Sequence, residues 1–122
     1  MTNRNPEPFY TVHKTIRCSE WTKSCCKYYE VSGLLHSYFK ASTPFKQMAR
    51  SIREIQSVSD RHETTYSMVF SLEEWAWICD LAKELKTTKQ QIILRILAYC
   101  LATCDLFPSG FKPNKAIVLS PS

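Results

Sequence analysis

The sequence predicts a mainly α protein with a short β-ribbon, centred on residues 64–104. Three observations lead there. Large apolar side chains alternate as Tyr66, Met68, Phe70 and Leu72, with Thr65, Ser67 and Val69 on the opposite face, which is the period-2 pattern of a half-buried strand. Two helix starts follow, at Ser71 and at Thr88, each with Glu or Gln three residues on. Finally, the apolar stripe of the second helix is wider than a two-helix unit can bury, so this unit requires a partner.

Taken from the N-terminus, Met1 to Pro8 read as a flexible end. Residues 10–18 alternate Tyr10, Val12, Lys14, Ile16 and Cys18 against Thr11, His13, Thr15 and Arg17, a possible strand with one polar face. The following CSEWTKSCCKYYEVSG gives no clean helix pair, and Gly33 interrupts it. Thr43-Pro44 then opens a helix over 44–58, in which Phe45, Met48, Ala49, Ile52 and Ile55 form a stripe opposite Lys46, Arg50 and Arg53. Residues 1–62 are therefore read as a basic N-terminal α(+β) extension, 63–105 as the principal domain, and 106–122, with Pro108, Pro113 and Pro121, as a flexible tail.

Within 63–105, Ser71 and Glu74 form an S-x-x-E capping box, and the helix they open carries Trp75, Ile78, Ala82 and Leu85 at helical spacing. Lys86-Thr87-Thr88 ends it. Thr88 caps the second helix, whose stripe is Ile92, Ile93, Ile96, Leu97, Cys100 and Leu101. A lone strand leaves its N–H and C=O groups unpaired, and the simplest partner is the same strand of a second copy, antiparallel across a two-fold axis. The expected dimer core is Tyr66, Met68, Phe70, Trp75, Ile78, Ile92, Ile93, Ile96 and Leu97.

In its order of signals (alternating strand, SLEEW, LAKEL, then T-T-K) the segment 64–104 resembles the ribbon-helix-helix DNA-binding family. The resemblance implies a homodimer whose paired strands enter the major groove of double-stranded DNA. It makes Thr65, Ser67 and Val69 the base-reading residues, and Thr88 and Lys89, at the start of the second helix, a phosphate clamp. Hydroxyls can meet either purine edge, and valine methyls pack on a thymine methyl. The outward face of this strand carries no Lys, Arg, Asn or Gln, and the inter-helix turn has Lys86 where Gly or Asn would most easily turn left-handed. A rival assignment makes residues 10–18 the reading strand.

The net charge of +5 is unevenly spread. Residues 1–62 carry ten Lys or Arg against five Asp or Glu, whereas 63–105 are net acidic and Lys112 and Lys115 make the tail basic. Counterion release on DNA would thus fall largely to the tail and the N-terminal segment, in the latter to Lys46, Arg50, Arg53 and Arg61, with Lys14, Arg17, Lys23 and Lys27. No stretch of about 18 uncharged apolar residues exists and the first residues lack an apolar signal core, so a cytoplasmic protein without membrane contact is expected.

Six cysteines do not change this reading. Cys18, Cys25 and Cys26 lie near His13 and His36, but C-x6-C-C is not a zinc-finger spacing, and Cys79, Cys100 and Cys104 fall on or near apolar helix faces. Buried free thiols are expected, with no metal and no cofactor. The three histidines sit in dissimilar settings and no Gly-rich phosphate loop is present, so no enzyme is expected. Trp75, Trp77 and the Tyr28-Tyr29 pair could stack bases but suit a core or interface better. The expected function is a sequence-specific, homodimeric transcriptional regulator of the kind plasmids and phages carry. Two alternatives are an accessory DNA-binding protein of a conjugation or partition complex, and a protein-interaction module such as an antitoxin or inhibitor, with a protein partner bound through the N-terminal segment.

Overall fold

A computed structural model describes residues 11–103, in the order β1 (Thr11–Cys18), α1 (Glu20–Tyr29), α2 (Val31–Lys40), α3 (Ser42–Glu54), β2 (Thr64–Ser71), α4 (Leu72–Glu84) and α5 (Lys89–Thr103). The readings made for Met1 to Pro8, Tyr10, Cys104, Lys112, Lys115 and the tail from 106 lie outside the described residues. Among the described residues five helices accompany one two-stranded antiparallel sheet, a mainly α fold with a short ribbon.

The chain runs strand–helix–helix twice, and the same local chemistry sets both passages. A serine at the end of β2, and one directly after β1, caps the next helix. Ser19 Oγ accepts from Thr22 N at 3.0 Å, and Ser71 Oγ accepts from Glu74 N at 3.0 Å. At Ser71 the box is complete, because Glu74 Oε1 accepts from Ser71 N at 2.7 Å. Each helix pair then turns on one non-glycine residue in the left-handed region, Glu30 at φ 51° and Lys86 at φ 55°. Neither is a glycine, so each turn is held at a cost of about 1 kcal/mol.

Three expectations are corrected here. Residues 19–40 do form a helix pair, and α2 runs through Gly33, where an added Cβ would meet nothing within 4 Å. The third helix spans Ser42–Glu54 rather than 44–58. Pro44 is its third residue, a position whose missing N–H no helical bond requires. Most consequentially, β2 does not wait for a second copy. It pairs with β1 of its own chain, in a register running from Thr11↔Ser71 to Cys18↔Thr64. The edge of β2 that faces β1 is paired within the chain, so β2 is not the lone strand from which a homodimer was expected.

One face of the sheet enters the core through Ile16, Cys18, Met68 and Phe70, all buried. Packing is reciprocal: α1 and α2 touch β2, α4 and α5 touch β1, and α2 lies against α5. The helix α3 packs against α2 and α5. In consequence α5 is buried continuously from Ile92 to Leu101, on every side. The residues expected to form a dimer core therefore serve this chain's own core. Met68, Phe70, Ile78, Ile92, Ile93, Ile96 and Leu97 are buried in it, while Tyr66 and Trp75 pack half-buried against it.

Residues 55–63 join α3 to β2 without regular structure, yet they are strapped down. Gln91 Oε1 accepts from Val58 N at 2.5 Å and its Nε2 donates to Val58 O at 3.0 Å. Gln91 is thus committed to the linker and does not close a capping box with Thr88, whose Oγ1 accepts from Gln91 N at 3.1 Å. Arg95, buried on α5, donates to Gln56 O, and its burial pulls the guanidinium pKa down. Asp60 Oδ2 accepts from Ser19 N at 3.0 Å and from Thr22 Oγ1 at 2.7 Å, tying the linker to the start of α1.

Two stability measurements check this description. Gly33→Ala places a better helix former in open space and should stabilise the protein by about 0.5–1 kcal/mol, seen as a higher thermal midpoint. Gln91→Ala strips both partners from the Val58 backbone and should destabilise by about 1–3 kcal/mol, with amide exchange accelerating at Val58 and its neighbours.

Candidate nucleic-acid interface

The sheet's second face is open. On β1 it presents His13, Thr15 and Arg17, and on β2 Thr65, Ser67 and Val69, all exposed. The register sets Arg17 beside Thr65, Thr15 beside Ser67 and His13 beside Val69. At the centre the Thr15 and Ser67 hydroxyls share a 3.2 Å hydrogen bond. No carboxylate belongs to this face. The two segments that the sequence set against each other, 10–18 and 65–72, are thus adjacent strands of one ribbon. The cation missing from the outer face of β2 is supplied by Arg17 of β1.

Arg17 is held from behind. Gln90, in the first turn of α5, donates from Nε2 to Arg17 O at 2.8 Å and accepts from Arg17 N at 3.4 Å. These two hydrogen bonds fix the end of β1 against the start of α5, the helix that the exposed Lys89 opens and Thr88 caps. At the same end the exposed Glu63 carboxylate is held below its usual pKa range by the Glu20 N–H and by Arg61, whose guanidinium lies 3.2 Å away. At this end of the ribbon Glu20, Asp60 and Glu63 stand against Lys23 and Arg61.

The remaining cations expected at phosphates are placed differently. Lys46, Arg50 and Arg53 line the exposed side of α3, the helix packed on α2 and α5, and Arg53 pairs with Glu84 at 3.3 Å. Lys14 occupies a core-side position of β1 but turns outward, its Nζ 4.8 Å from the centre of the Trp75 ring. That ring also packs on Phe70, with centroids 5.8 Å apart. Trp77 belongs to a separate aromatic cluster with Phe39 and Phe45. Neither tryptophan stands on the open face of the ribbon. Tyr28, 66% exposed, packs edge-on against Tyr29.

Cys18, Cys25, Cys26 and Cys100 are buried, as small hydrophobes would be, and Cys79 is half-buried. Burial pushes Cys18 and Cys25 up to about 11, and Cys26 higher still, so none is a thiolate near neutral pH. Among the described residues no three of His, Cys, Asp and Glu gather closely enough to hold a metal ion. No helix among them is long and apolar enough to cross a membrane.

Sequence reasoning missed His13, Thr15 and Arg17 as members of the same face as Thr65, Ser67 and Val69. A signal was present. Both strands run into a serine followed by an acidic residue and a tryptophan, Ser19-Glu20-Trp21 and Ser71 through Trp75, which marks the two as equivalent passages. Comparison of the chain with protein-family models, curated proteins and solved structures finds no match.

Proposed function

We propose that this chain is a sequence-specific double-stranded DNA-binding protein, acting as a transcriptional regulator, in which one polypeptide supplies a complete ribbon-helix-helix head. The observation that carries this is the open face of the ribbon. A two-stranded antiparallel ribbon is of a size to enter the major groove. This one offers a guanidinium, an imidazole, three hydroxyls and an isopropyl group, and no carboxylate to repel phosphate. Arg17 suits the O6 and N7 acceptors of guanine, the hydroxyls of Thr15, Thr65 and Ser67 suit either purine edge, and Val69 suits a thymine methyl.

The supporting frame has the order the family resemblance asks for, twice over, with the capped strands side by side and the second helices α2 and α5 in contact. Thr88 and Lys89 open α5 beside the ribbon, where free N–H groups and an ammonium can take a phosphate. The net charge of +5 supplies the remaining attraction.

Anisotropy titrations of random and selected duplexes across a salt series test the reading. Affinity should fall linearly on a log–log plot, and Lys89→Ala should flatten that slope by about 0.9 for cognate and random DNA alike. Arg17→Ala should instead lower the cognate-to-random ratio. A chain that binds no duplex at low salt would exclude this function.

A further inference from the structure

We infer that the duplex site is non-palindromic and is read by one chain, with guanine contacted on the flank beneath Arg17 and Thr65, and thymine on the flank beneath Val69 and His13. The inference rests on the DNA-binding reading above and takes it further. It begins with the local symmetry of the ribbon. Ser19 and Ser71 are equivalent as the serines at the junction of a strand and the helix that each caps. Four residues before them lie Thr15 and Ser67, which also face each other in the register. The local two-fold axis of the ribbon therefore passes through the Thr15–Ser67 pair, and it exchanges Arg17 with Val69 and His13 with Thr65.

In a ribbon built from two copies of one strand, exchanged positions hold identical residues, and the base pairs on the two sides of the axis must match. Here they hold different chemistry. One side presents a five-donor guanidinium next to a hydroxyl, and the other an imidazole next to an apolar, 42% exposed valine. Arginine discriminates guanine through two parallel bonds, whereas valine offers only methyl contact and favours thymine. Only at the centre, where Thr15 and Ser67 both present hydroxyls, are the two sides alike.

The backing of the ribbon is one-sided in the same sense. Gln90 binds the backbone of Arg17, and the exposed Lys89 precedes it in the first turn of α5. The corresponding helix of the first passage, α2, opens at the exposed Glu30, which makes no side-chain cap and would oppose a phosphate. The base-reading guanidinium and the start of α5 thus belong to the same end of the ribbon, where Arg61 pairs with the Glu63 carboxylate.

The test is selection of bound duplexes from a random pool with the full chain, followed by native mass spectrometry of the complex. The expected result is a consensus without dyad symmetry, occupied by one chain. Arg17→Ala should reduce discrimination about tenfold or more at the guanine flank and leave the thymine flank unchanged. Val69→Ala should do the reverse. Both side chains are exposed, so the exchange variant Arg17→Val with Val69→Arg should keep its melting temperature and select a site with its two flanks interchanged. Should that variant not fold, the two single variants decide the matter. A palindromic consensus occupied by two chains, or an exchange variant that selects the unaltered site, overturns the asymmetry and leaves DNA binding standing. Failure to enrich any sequence and to bind duplex at low salt overturns both.

Discussion

A helix that is apolar around its whole circumference has to be enclosed, and α5 imposes that demand on everything else in this molecule. From Ile92 to Leu101 each residue is buried, including Arg95. No single neighbour can cover such a surface. The strand β1 and the helices α1, α2, α3 and α4 all contact it, so the two strand–helix–helix passages and the helix between them form one unit around a shared axis. The stripe that looked too wide for two helices was a correct sign that more partners were needed, and the chain supplies them itself.

The cost of enclosing a charged side chain in that helix is met by using it. Arg95 loses hydration, but its Nη2 donates to the Gln56 carbonyl of the linker and its Nε to Gln91 Oε1. Gln91 and Asp60 act similarly on Val58 and on the start of α1. A nine-residue connection without regular structure is thereby fixed at three points, and the strand it leads into arrives in register with a strand that left the core some fifty residues earlier. Long-range pairing of this kind is slow to form, because the loop-closure entropy is lost before the contacts repay it.

The second passage was far more legible than the first, for physical reasons. Ser71, Glu74 and Thr88 are strong local signals whose hydrogen bonds form within three residues, and the structure contains them. The first passage has ten-residue helices, barely three turns each, with Gly33 inside one and Glu30 rather than glycine at the turn. Their stability comes from packing on β2 and α5, which a local pattern does not encode. The exposed face of Thr65, Ser67 and Val69 followed directly from alternation. Its other half, His13, Thr15 and Arg17, also alternated visibly, but which strand would lie beside which is a tertiary fact. So too is the diversion of Gln91 from capping to the linker.

Covalent continuity between β1 and β2 has a consequence for how the ribbon behaves on dilution. A sheet shared between separate subunits exists only above their dissociation constant, and its abundance falls with the square of concentration below it. Here the two strands are tethered through α1, α2, α3 and the strapped linker, so their encounter is a first-order event with a fixed effective concentration. The open face of the sheet is complete on every folded molecule, and a single copy in a compartment carries as finished a surface as a thousand do.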